Sequence, residues 1–251
     1  MPAIYVYGVL PADQVGSLPQ RGVQGVAVRA VKHEDLVALT SDLKEDSLAA
    51  AREVRGHWRV LDEVSKSATV LPTRFGTVLE SDEAVKDELL VPNHERLTEL
   101  MQHVAGRVQL NVKGDYDEEA LIAEIVKGTP QIVALRDKVR NLSAQAAYYE
   151  RIRLGELVAA EVERRREADL QHALELLGPH AVDTRQEELS LPNSAYNLAF
   201  LVERKGQESF TAAVNRLIAD CGERIEIRYV GPLPPYSFAE ANLTPQETAW
   251  A

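Results

Sequence analysis

Tyr196-Asn197-Leu198-Ala199-Phe200-Leu201-Val202, followed by Phe210, Ala213, Val214, Leu217, Ile218 and Cys221, and then by Ile225, Ile227 and Tyr229, is the stretch from which the fold can be read. The opening run is dense in aromatic and aliphatic side chains, a strongly β-prone composition. The middle set recurs every three or four positions, as the apolar stripe of a helix does, and Gly222 supplies its stop. The last set alternates with Glu226 and Arg228, the period of a strand with one wet face. Gly178-Pro179 and an extended piece over 181–189 precede this block. A β-β-α-β order with short connections predicts an antiparallel sheet with helices on one face.

That order predicts a ferredoxin-like α+β domain, and the N-terminal half reads in the same way. Ile4-Tyr5-Val6-Tyr7-Gly8-Val9-Leu10 is a buried strand ending at Pro11. Two further β segments, 25–31 and 36–40, flank Lys32-His33-Glu34-Asp35 as a hairpin. A helix over 47–68, N-capped by Ser47, carries Leu48, Ala51, Val54, Trp58, Leu61 and Val64 as its apolar stripe. Two short extended pieces then lie on either side of the break within 69–79. Ser81 opens another helix, which Pro92 interrupts and Asn93 restarts. Val108, Leu110 and Val112 alternate with Arg107, Gln109, Asn111 and Lys113 as a half-wet strand, and a short helix follows over 117–127.

Gly128-Thr129-Pro130 supplies a helix stop, a cap and a helix-opening proline. The expected division is therefore an N-terminal α+β domain over 1–129 and a C-terminal domain over 130–251. The latter opens with a long helix over about 130–177. Its Ile132, Leu135, Val139, Leu142, Ala146 and Tyr149 are spaced as a coiled-coil-like seam, which packs within the chain or against a partner. The predicted fold is thus two ferredoxin-like α+β domains with a long helical element between or alongside them. The polar tail 239–251, containing Pro245, is expected to be mobile.

The chain has 251 residues, 45% hydrophobic and 27% charged, an ordinary globular composition. Its formal charge of −11 opposes general nucleic-acid binding. Arg164-Arg165-Arg166 lies among Glu161, Glu163, Glu167 and Asp169, and reads as a solvated helix face. No apolar run approaches the roughly 18 residues of a membrane span, and no basic segment precedes the first apolar stretch. Cys221 is the single cysteine, which excludes an intrachain disulfide and a multi-cysteine metal site. These features predict a cytoplasmic protein without membrane association.

Familiar catalytic and cofactor patterns do not occur. No glycine pair forms G-x-G and no Gly-Lys forms a P-loop. His33-Glu34 and His94-Glu95 begin like zinc-protease helices, but Val37 and Thr98 stand where the second histidine belongs. Asp115, Asp117 and Glu119 resemble a calcium loop that lacks its turn glycine and final glutamate. Cys221 reads as a small buried hydrophobe and His57 as helix surface. The expectation is no enzyme, no catalytic residue, no cofactor and no metal.

Val70-Leu71-Pro72-Thr73-Arg74-Phe75-Gly76-Thr77-Val78 and Tyr229-Val230-Gly231-Pro232-Leu233-Pro234-Pro235-Tyr236-Ser237-Phe238 are more particular than a generic fold needs. Together with Ile4–Val9, Gln109–Lys113 and Tyr196–Val202, in that order along the chain, they resemble the gas vesicle GvpL/GvpF family. The resemblance implies a non-enzymatic accessory or minor structural protein, located at the gas vesicle or in the assembling cytoplasm. Its implied partners are the hydrophobic major shell protein, which it would keep from aggregating, and other gas vesicle assembly proteins.

Such a client requires an apolar surface or an open sheet edge. Phe75, Tyr236 and Phe238 are the candidates for a client or domain-contact surface, with Arg74 orienting it. Pro232, Pro234 and Pro235 would keep the terminal segment extended. The alternative is that Phe75 and Phe238 fill their domain cores while Arg74 makes an ion pair. A different class of reading is a small-ligand or enzymatic module built on paired ferredoxin-like domains. A third is an oligomerisation scaffold using the Ile132–Tyr149 seam.

Overall fold

A computed structural model describes residues 3–44, 51–143, 145–189 and 191–239. Ser47, Leu48 and the tail beyond Ala239 lie outside the described residues. The fold is mixed α+β with two sheets and one long helix. Two compact units divide the chain, the first comprising Met1–Leu110 with Gly231–Ala251 and the second Asn111–Val230. The division thus differs from the expected cut at Thr129–Pro130, because the helices on either side of that turn pack together within the second unit.

The first unit is built around β1 (Ile4–Pro11), buried from Ile4 to Leu10 as its composition requires. β2 (Arg29–His33) and β3 (Leu36–Asp42) form a hairpin as expected, but β2 starts four residues later than the expected 25–31 segment, because 23–25 make a 3-10 turn, and it takes in Lys32 and His33, which narrows the connection to Glu34-Asp35. β3 pairs antiparallel with β1. Helix α1 (Ala51–Ser65) follows, then β4 (Leu71–Pro72) and β5 (Val78–Leu79), which both pair antiparallel with β1. The sheet order is β2-β3-β1-β4, with β5 also on β1. Ser81 caps α2 (Asp82–Ala84), its Oγ accepting the Ala84 N–H at 3.1 Å. A π-helical turn over Val85–Leu90 and α3 (His94–Val104) follow. Tyr5, Tyr7, Leu10, Leu39, Leu61, Leu71, Leu89, Leu90 and Leu97 fill the core.

Strand β6 (Arg107–Tyr116) begins in this unit and ends in the second. There α4 (Glu118–Gly128) is capped by Asp117, which accepts the Ala120 N–H at 2.8 Å. Next come α5 (Pro130–Arg140), α6 (Tyr148–Leu177), β7 (Asp183–Gln186), β8 (Ser194–Glu203), α7 (Gln207–Cys221) and β9 (Ile225–Leu233). The second sheet runs β7-β8-β6-β9. β8 is buried on both faces and β9 alternates, as its sequence predicts. Phe200 and Phe210, their ring centroids 5.1 Å apart, anchor α7 to β8. Cys221 is buried at the end of α7.

Three expectations are corrected. The single helix over 130–177 is two helices, so the Ile132–Tyr149 seam is not one continuous stripe. Asn141 Nδ2 donates to the Asp137 carbonyl and Ser143 Oγ accepts the Ala146 N–H, local bonds that compete with a helical ladder. Ile132 and Leu135 are buried, whereas Tyr149 is 80% exposed. The stripe of α1 is also rotated from the one drawn through Val54 and Trp58. Glu53, Gly56, His57, Val60, Leu61 and Val64 are buried, an i, i+3, i+4, i+7, i+8, i+11 pattern that includes polar members. His57 is therefore core and Trp58 surface. Finally, Pro234-Pro235 does not continue as an extended strand but opens a helical turn, α8 (Tyr236–Ala239), whose Phe238 and Ala239 amides donate to the Pro235 carbonyl.

Candidate functional site

The four residues singled out from sequence all belong to the first unit. β4 and β5 behave as one strand laid along β1 with three residues looped out. Thr73 N–H donates to the Tyr7 carbonyl and Val6 N–H to the Thr77 carbonyl, so both ends of the excursion are held by β1. Thr73 Oγ1 adds a 2.9 Å bond to the Val6 carbonyl. Arg74, Phe75 and Gly76 form the tip. It is closed by Thr77, whose N–H and Oγ1 both donate to the Arg74 carbonyl. Gly76 adopts φ +90° there, a conformation that favours glycine.

Arg74 is exposed, and its guanidinium makes no ion pair among the described residues. Phe75 is half-buried, its ring centroid 5.7 Å from that of His57 and 6.2 Å from that of Tyr5. Beneath it, Tyr5 accepts the Gly76 N–H and sits 2.9 Å from His57 Nδ1. With its oxygen already accepting, the Tyr5 hydroxyl is free to donate to Nδ1, which leaves the ring proton on Nε2. Nε2 is buried without a hydrogen-bond partner. Burial brings the His57 pKa down from 6.5 to about 4, opposed by the Thr73 carbonyl, which faces the ring outside hydrogen-bonding geometry. The ring is neutral at pH 7 and stacks on Tyr7 with centroids 5.8 Å apart. It is a structural histidine.

Tyr236 and Phe238 part company. Phe238 is 3% exposed and belongs to the core. Tyr236 is half-buried, and its ring lies 4.2 Å from that of Trp58, which is 41% exposed. The turn carrying them is clamped by Gln109, whose Nε2 donates to Ser237 Oγ at 2.9 Å while its Oε1 accepts the Ser237 N–H at 2.8 Å. Gln109 is thus buried at 2% exposure rather than on the wet face its alternation predicts. Gly231, at φ +152°, permits the close approach: a Cβ there would lie 2.5 Å from Leu110 Cδ2. The surface presented is Trp58 with Tyr236, together with the Arg74-Phe75 tip. Trp58 was not legible as part of it, since counting apolar residues alone assigns it inward. The buried Glu53 and His57 are the signal that turns α1 the other way.

The two His-Glu dipeptides also meet. His33 and His94 have ring centroids 6.3 Å apart, and His94 Nε2 lies 2.6 Å from Asp35 Oδ1. Glu34, Asp35 and His94 each offer a ligand atom within 4.8 Å of the others. The contact pins α3 to the β2–β3 turn, and pairing with His94 holds the Asp35 carboxyl below its ordinary range. Asp115, from the rejected calcium pattern, is buried and bound to Ser194 Oγ and to the Arg228 guanidinium. Among the described residues no helix is long and apolar enough to cross a membrane.

Comparison with known proteins places this arrangement. The family model described as "Gas vesicle synthesis protein GvpL/GvpF" matches residues 3–240. Gas vesicle protein F of Streptomyces sp. (strain CB03234) is 34% identical over 240 residues, covering 94% of this chain and 99% of that protein. Gas vesicle protein L of the same strain is 30% identical, covering 94% of this chain and 92% of that one. The crystal structure of the gas vesicle protein GvpF from Anabaena sp. PCC7120 superposes with a TM-score of 0.84 at 28% identity. It covers 96% of this chain and 99% of that one. With the family's model spanning nearly the whole sequence and its fold reproduced, the chain belongs to the GvpL/GvpF family of gas vesicle proteins.

Proposed function

We propose that this chain is a non-enzymatic accessory or minor structural protein of gas vesicle assembly. It binds the hydrophobic major shell protein in the cytoplasm and keeps it from aggregating until it joins the growing vesicle. The observation that carries this reading is the Trp58–Tyr236 pair, a partly exposed aromatic surface carried by α1 and a clamped turn. Tryptophan and tyrosine are the side chains that most often anchor protein interfaces, and a partly exposed pair is available at little ordering cost. The tip bearing Arg74 and Phe75 extends the same chemistry, an aromatic ring beside a cation with no ion-pair partner among the described residues. Phe238 supports the surface from within the core.

The ferredoxin-like description fits the second unit, whose elements run β6, helices, β7, β8, α7, β9 with strand order β7-β8-β6-β9. The first sheet repeats that order, with the segment between β1 and β2 replacing the first helix.

Co-expression with the major shell protein, followed by pull-down and measurement of soluble shell protein, tests the reading. The parent chain is expected to capture the shell protein and raise its soluble fraction. Trp58→Ala with Tyr236→Ala is expected to reduce capture about tenfold at an unchanged fold, as loss of an aromatic anchor does. Absence of capture by a folded chain would overturn it.

A further inference from the structure

In a chain of net charge −11, the first unit carries a concave surface whose described lining is mainly cationic. A cleft of about 400 Å³ is lined by Arg21, Lys44, Arg52 and Arg59, with Glu53 as the single carboxylate among its described residues. Gly22, Gly25 and Gly56 also line it, the first and last of them buried. Arg52, Gly56 and Arg59 occupy i, i+4 and i+7 of α1, one face of a helix. A Cβ on Gly56 would stand 3.2 Å from the Gly22 carbonyl oxygen. The missing side chain therefore lets α1 approach the 22–25 turn, and that approach brings its two arginines to Arg21. Gln24 and Gly25 hold φ +53° and +68°, and this left-handed backbone closes the turn.

Glu53 offsets one cation only, its partner Arg52, and leaves Arg21, Lys44 and Arg59 uncompensated among the described lining residues. It is 3% exposed and accepts the Gln24 N–H and Arg52 Nε. Those bonds, the Gln24 amide first, hold its carboxyl below the ordinary range. Arg21, Lys44 and Arg59 have no carboxylate partner among the described residues. The backbone amides of the turn are spent too: Gly22 donates to Val26, Gly25 to Gly22 and Val23 to the Tyr7 hydroxyl. An anion entering the cleft would therefore meet side chains, two of them planar guanidinium groups suited to bidentate recognition.

The lining also limits the ligand. No aromatic or aliphatic side chain belongs to it among the described residues, so it offers neither a stacking face for a base nor a pocket for the apolar anchor of a peptide. A volume near 400 Å³ falls within the small-molecule range of about 300–1,000 Å³. We propose that this cleft is a binding site for a small, charge-dense polyphosphate anion, held chiefly by Arg21, Lys44 and Arg59. The site is separate from the Trp58–Tyr236 surface, and it does not depend on shell-protein binding.

The test is calorimetric titration of the full chain with sodium tripolyphosphate at fixed ionic strength. Saturable binding at one site is expected. Arg21→Ala with Arg59→Ala should weaken it at least tenfold, and Lys44→Gln should do so to a smaller degree. All three side chains are exposed, so unchanged circular dichroism and Tm serve as the folding control. Arg136→Ala, in the second unit and beside Asp137, should bind as the parent does. The proposal is overturned by non-saturable heats, by an equal loss in the Arg136 variant, or by a glutamate-rich peptide that binds more tightly than tripolyphosphate. The last result would make the cleft a protein-docking site.

Discussion

At the residue scale, His57 and Gly114 show how a single position can carry a whole neighbourhood. His57 keeps its ring neutral because burial lowers its pKa to about 4. Between pH 6.5 and 4 the unfolded chain takes up a proton that the folded ring refuses. Stability is therefore complete above about pH 6.5 and falls as the pH drops toward 4. A shift of this size corresponds to roughly 3 kcal/mol once both states are protonated. Urea unfolding at pH 7 and pH 4.5 should show the loss, and His57→Phe should flatten that part of the profile. If that variant loses as much stability on acidification as the parent, the sensitivity lies elsewhere. Gly114 has a steric role: a Cβ there would stand 2.7 Å from the Tyr196 ring and 2.9 Å from Ile225 Cγ2. Gly114→Ala should cost about 1–3 kcal/mol, visible as a Tm several degrees lower by calorimetry.

At the scale of elements, the long helix α6 shows how local charge patterning and tertiary contact divide the work. Arg164 pairs with Glu161 on an exposed face, as the sequence predicts. Arg165 reaches further, to Glu124 of α4 as well as Glu161. Lower on the helix, Asp169 receives the Arg224 guanidinium and the Tyr116 hydroxyl, the latter at 2.7 Å. This node ties α6 to β6 and to the residue before β9. Asp169→Ala should cost about 2 kcal/mol, the range for hydrogen bonds to a charged group when the partners are part-buried. Arg164→Ala should leave the urea midpoint unchanged. Equal effects of the two substitutions would remove Asp169 as the anchor. The node was hidden in the sequence because its members lie far apart in the chain, whereas each Arg–Glu pair on α6 is visible from i+3 and i+4 spacing. Tyr148, Tyr149 and Ile152 remain exposed at the start of α6.

At the scale of the molecule, the family assignment rests on motifs distributed along nearly the whole chain, and the fold agrees with it. The sequence alone determined most of the strands and helices, because alternation, three-to-four spacing and turn residues are local properties, but the start of β2 and the break between α5 and α6 escaped it. It also carried the family resemblance, and it marked out Arg74 and Phe75 as contact candidates, while only the pairing with β1 showed that they form a looped-out tip. Tertiary structure decided what depends on partners distant in sequence. It rotated α1 so that Glu53 and His57 face inward, where the Gln24 N–H satisfies the Glu53 carboxylate and the Tyr5 hydroxyl satisfies His57 Nδ1, partners without which burying these groups would be costly. It put Phe238 in the core and left Tyr236 against Trp58, and it moved the division of the chain into strands β6 and β9. The cationic cleft too was invisible in a chain of −11. Net charge sums over all residues, whereas a binding surface depends on which few the fold brings together.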